Sequence, residues 1–129
     1  MKRLAAVIVA LFAASSPARA TEWMICSDDS GKASFSVLLG AMDVIAISSL
    51  KIEVDGKTWS TVKGEGTLVT IGQAFESDDQ MLIDVTDSEV STLVAQLRLF
   101  EASEADAVAA GGTLRIPGQG AWAVTCDGP

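Results

Sequence analysis

The sequence contains no histidine and no tyrosine, and only two cysteines, three prolines and three tryptophans in 129 residues. Without histidine there is no Ser-His-Asp or Cys-His arrangement, no usual zinc site, and no general base of the commonest kind. Basic residues are scarce as well: nine Lys and Arg stand against 17 Asp and Glu. A surface of that sign repels phosphate backbones and anionic headgroups, so nucleic acid and membrane surfaces are not expected partners, and no membrane insertion is expected because no later stretch is apolar enough to span. No G-x-x-x-x-G-K phosphate loop is present. The Gly-Glu-Gly of residues 64–66 and the Gly111-Gly112 pair sit among strand patterns.

The first twenty residues have the layout of a secretory signal peptide. Lys2 and Arg3 form a basic start, Leu4 to Ala14 is an apolar run of 11 residues, and Ala18-Arg19-Ala20 is a small-x-small cleavage site. The run is too short to cross a bilayer as a helix, which takes roughly 20 residues. The expectation is a cleaved segment 1–20 and a single mature domain, 21–129, that is periplasmic or secreted. Removing Lys2, Arg3 and Arg19 leaves six of the nine cations against all 17 carboxylates, a net charge of −11 instead of −8. Cationic proteins, peptides or metal ions would be drawn to such a chain.

Export gives the cysteines their meaning. In an oxidising compartment Cys26 and Cys126 are expected to pair, joining the two ends of the mature domain. Trp23 and Trp122 stand near them in sequence and are expected to cover the bond with apolar surface.

Alternation of apolar and polar residues dominates the rest, the pattern of half-buried strands. Leu50, Ile52 and Val54 share one face, and Asp55-Gly56 follows as a type I′ hairpin turn. Ile45 and Ile47 have the opposite parity, which one extra residue at Ser48-Ser49 would correct, so a β-bulge or break is expected there. A turn is expected at Gly40-Ala41. Val69 to Phe75 and Met81 to Val85 make a second hairpin around the loop from Glu76 to Gln80, and Ser91 to Glu101 reads as a strand. One short helix is expected near residues 103–110, with Ser103 as its N-cap and Gly111-Gly112 as its stop. About nine short strands follow, an all-β fold: a small antiparallel β-sandwich or barrel closed by an N-to-C-terminal disulfide.

Carboxylates, hydroxyls and a few lysines are what remains for chemistry. The chain is expected to be no enzyme, with no cofactor and no metal. The candidate binding residues are Trp59 and Glu76, Asp78 and Asp79, whose loop lacks the twelve-residue calcium pattern and reads either as a solvated hairpin tip or as a docking point for a basic partner. Trp59 either lies exposed between Lys57 and Lys63 as a contact residue or turns into the core and leaves Thr58 and Ser60 wet. The expected function is an exported, acidic, non-catalytic domain that binds a protein partner, a basic envelope protein or cell-wall hydrolase. Alternatives are a structural or accessory subunit of an envelope assembly and a small carboxylate-dependent hydrolase. In size and class the chain resembles bacterial lysozyme inhibitors, although their Ser-Gly-Ala-containing loop is missing from it.

Overall fold

The protein is described by a computed structural model covering residues 21–40 and 44–128. The expected signal peptide, residue 41 of the expected Gly40-Ala41 turn, and residues 42, 43 and 129 lie outside the described residues. Nine strands form a closed barrel in chain order: β1 (Glu22–Ser27), β2 (Ala33–Gly40), β3 (Ala46–Val54), β4 (Lys57–Ser60), β5 (Thr67–Glu76), β6 (Gln80–Asp87), β7 (Leu93–Glu104), β8 (Ala107–Ile116) and β9 (Gly120–Asp127). Between sandwich and barrel, the barrel is what forms. Closure leaves each strand a partner on both sides and removes the exposed edges of an open sheet along most of the circumference.

Alternation builds the core. Phe35, Val37, Leu50, Ile52, Ile83, Val85, Leu97 and Leu114 point inward from successive strands and are buried, filling the middle of the barrel. The Asp55-Gly56 turn has both residues at positive φ, 47° and 78°, as its type requires. The expected bulge is present: Leu38 faces Ser49 and Leu39 faces Ile47, with Ser48 unmatched between them. Bulging by one residue returns Ile45 and Ile47 to the core side.

All neighbouring strands are antiparallel except one pair. The chain leaves β4 at Ser60, turns back through residues 61–66, and re-enters as β5 parallel to β4, with only Trp59–Thr67 and Ser60–Leu68 in register. Local bonds hold that return. The Ser60 hydroxyl donates to Glu65 Oε2 at 3.1 Å and accepts the Val62 N–H at 3.0 Å, and Thr61 Oγ1 accepts the Leu50 N–H at 3.0 Å. The barrel closes at β1 and β9 through three residue pairs, Ile25–Asp127, Cys26–Cys126 and Ser27–Thr125. Cys26 and Cys126 are disulfide-bonded as expected.

Four expectations are corrected. Residues 103–110 form no helix: Ser103 ends up in β7 and Ala107 starts β8, with Ala105-Asp106 as the turn and Ala105 at φ 53°. The alanines favour a helix locally, but nine consecutive residue pairs between β7 and β8 outweigh that preference. Gly112 is not a helix stop either. A Cβ there would lie 1.9 Å from the Arg98 carbonyl oxygen, so the position needs glycine for close strand approach. Trp23 does not shield the disulfide: it has the opposite parity from Met24 and Cys26, points outward and is 49% exposed. Ser60, expected on a wet face, is buried at 1% exposure, its hydroxyl satisfied by the bonds above.

Candidate functional site

Because β4 has only four residues, it spans the lower part of the wall between β3 and β5. Above Ser60, no described strand lies between those two. At the top of this opening is a cleft of about 660 Å³, lined by Val44 and Ile45 before β3, by Ala74, Phe75 and Glu76 at the end of β5, by Ser77 and Asp78 of the following turn, and by Glu101 of β7. Ile45 and Ala74 are packed against the core and give the cleft an apolar floor. A second cavity, beside Met24, Met81 and Leu99, holds about 20 Å³, room for a single water.

The β5–β6 turn is shorter than the sequence suggests, three residues instead of five, since Glu76 and Gln80 belong to the strands. It is fastened on both sides. The Ser77 N–H donates to the Gln80 carbonyl at 2.9 Å, the Glu101 N–H donates to the Asp79 carbonyl at 2.9 Å, and the Ser77 hydroxyl donates to Asp79 Oδ1 at 3.3 Å. Glu76, Asp78 and Asp79 are therefore held at one rim of the barrel, which we call the upper end. Glu101, which sequence reasoning passed over, joins Glu76 and Asp78 in the cleft lining because β7 runs past β6.

Charge is segregated along the barrel axis. Following the strand register, the upper end carries Glu22, Glu76, Asp78, Asp79, Glu101, Glu104, Asp106 and Asp127, all exposed, and no Lys or Arg among the described residues. The six Lys and Arg among the described residues, Lys32, Lys51, Lys57, Lys63, Arg98 and Arg115, sit at the middle or the lower end among the other carboxylates. Several have partners there: Arg98 reaches Asp84 at 2.7 Å, Lys51 reaches Glu53 at 3.1 Å, and Lys57 donates to Gln119 at 3.1 Å. Exposed apolar side chains concentrate at the acidic end. Val44 is 73% exposed, Phe100 62% and Phe75 57%, and Trp23 and Val108 are also open to solvent.

Trp59 is not part of this cluster. It stands opposite Ile52, whose side chain is buried, and packs half-buried against the core in the lower part of the barrel. The structure thus gathers three of the four candidate binding residues and leaves Trp59 apart.

Two carboxylates in the lower loops are held by hydrogen bonds. Asp28 accepts from the Ser30 hydroxyl and the Ala33 N–H, and Asp87 accepts from the Ser91 hydroxyl and N–H. Both are held below the ordinary carboxylate pKa, first by the serine hydroxyl in each case. These are turn-forming roles, far from the cleft. Among the described residues, no group of three His, Cys, Asp or Glu is placed to hold a metal ion. In comparison with known proteins, the chain matches no family model, and no curated protein and no solved structure is detectably similar to it.

Proposed function

We propose that this chain is a non-catalytic binding domain, periplasmic or secreted, that takes a cationic protein partner at the upper end of the barrel. A basic envelope protein such as a cell-wall hydrolase has the required chemistry. The observation that carries the reading is the segregation of charge: among the described residues, eight exposed carboxylates and no cation share one end with Phe75, Phe100 and Trp23. An acidic field steers a basic partner to that end and sets its orientation, and exposed aromatics among the charges supply the apolar contact area on which affinity depends. The disulfide agrees with an oxidising compartment.

The test is binding to basic cell-wall hydrolases at low and physiological salt, with charge reversals placed at either end. Reversing Glu76 and Asp78 to lysine is expected to weaken binding by roughly tenfold or more, about 1.4 kcal/mol, while reversing Asp55 and Glu89 at the lower end leaves it within about twofold. Affinity that ignores salt, or falls equally for both pairs, would defeat the reading.

A further inference from the structure

Among the described residues, no strand continues β4 upward between β3 and β5. Lower down, Ser60 of β4 is in register with Lys51 on one side and Leu68 on the other, so the lane between β3 and β5 is there occupied by one strand. Higher up, the lane-side edge of β5 has no described backbone partner above Leu68. In an antiparallel pair, backbone groups of successive residues turn alternately toward the partner strand and away from it. The bond from the Ser77 N–H to the Gln80 carbonyl sets the phase. Counting back along the register, Gln73 and Phe75 turn toward β6, while the N–H and C=O groups of Ala74 and Glu76 turn into the lane.

Exposed edges are ordinarily blunted by lysine, proline or a bulge. Here the bulge at Gly72 interrupts the lower edge, but Gln73–Glu76 above it keeps regular register and contains no lysine or proline. The cleft lies against this stretch, with Ile45 and Ala74 beneath and Glu76, Asp78 and Glu101 around it. A second copy of this chain would bring the same carboxylates to the contact, so charge selects a different occupant.

We propose that the lane between β3 and β5 receives an extended cationic segment of the partner, which pairs with the Gln73–Glu76 edge as an added strand. This rests on the proposed function and specifies how the partner is recognised. Main-chain bonds to Ala74 and Glu76 supply register-independent affinity, and alternate side chains supply selectivity. Apolar residues of the segment face the Ile45 and Ala74 floor, and intervening lysines or arginines meet the rim carboxylates. Four paired residues span roughly 13 Å.

The probe is a synthetic seven-residue peptide alternating lysine and valine, titrated into the isotope-labelled full chain. Amide exchange at Ala74 and Glu76 is expected to slow by about tenfold or more, while the Phe75 amide, already bonded to β6, changes little. N-methylation of alternate peptide amides preserves charge but removes donors, and is expected to lower affinity by about tenfold. Ala74→Pro should do the same, since it deletes a lane-side N–H without taking a bond from the β5–β6 pair. The N-methylated peptide makes the test independent of whether that variant folds.

If native and N-methylated peptides bind alike, or the Ala74 and Glu76 amides gain no protection, strand addition is refuted, whereas salt-dependent binding of a basic protein at the upper end would still stand. If neither the peptide nor any basic protein binds, both proposals fall.

Discussion

Replacing Cys26 and Cys126 together by alanine opens the one covalent link between β1 and β9. The cross-link spans a sequence separation of 100, and for a closed loop of that length the chain-entropy relation gives about 4.7 kcal/mol of stabilisation through the unfolded state. Little else holds that seam: three residue pairs join β1 to β9, against seven between β8 and β9. With an unfolding entropy of about 2.1 cal/mol/K per residue, a domain of roughly 110 residues would lose some 20 °C of melting temperature. Thermal unfolding followed by circular dichroism, oxidised against reduced and against the alanine pair, measures this directly. Reduction isolates the link, and the alanine pair adds the lost packing of Cys26, which is fully buried. Amide exchange should show Ile25–Ser27 and Thr125–Asp127 opening before the rest. A fall of less than about 5 °C, near 1 kcal/mol on the same scale, would refute the reasoning, because the seam would then hold without its bond.

Gly112→Ala places a methyl 1.9 Å from the Arg98 carbonyl oxygen, a backbone atom that cannot rotate away. The expected loss in chemical denaturation exceeds the usual overpacking range of about 1–3 kcal/mol. Gly118→Ala, with no neighbour within 4 Å but φ at 78°, should lose only the backbone cost of roughly 1 kcal/mol. The Arg98–Asp84 pair, about a third and a quarter exposed, should show a double-mutant coupling below about 1 kcal/mol that shrinks with salt. Asp28 and Asp87 have folded pKa values depressed below 3.8. Their contribution is present above the unfolded carboxylate pKa and is lost as pH falls through the folded value. Melting temperature should therefore drop below pH 4, with a smaller acid-induced drop in the Asp28→Ala and Asp87→Ala variants, a comparison that thermal scans between pH 5 and 2 provide.

Much of the barrel was readable because strand alternation depends on local order in the sequence. The parity change between Ile47 and Leu50 located the Ser48 bulge, and Asp55-Gly56 could only be a tight hairpin of its type. The paired cysteines followed from their number and from the expected export of the chain. What local pattern does not encode is which edges meet. The parallel return from Ser60 to Thr67 depends on hydrogen bonds among Ser60, Val62 and Glu65 that no periodicity announces. The stretch from Ser103 to Ala110 carries a helical signal in its alanines, and only its pairing partner in β7 overrides it. The acidic residues were visible individually, and the loop Glu76 to Gln80 was recognised. Their collection at one end is a property of register: Glu101 and Asp127 reach the rim of Glu76 only after the strands are aligned.

The neighbour of β1 across the seam is the last strand in the chain. Cys26 precedes its mate by 100 residues, so all of β2 to β8 is made before the bond can close. Between the two positions the sequence holds no other cysteine, and the intervening strands offer the early thiol no mistaken match. The barrel can therefore close without any reshuffling among its own strands, and its last bond waits on the arrival of β9.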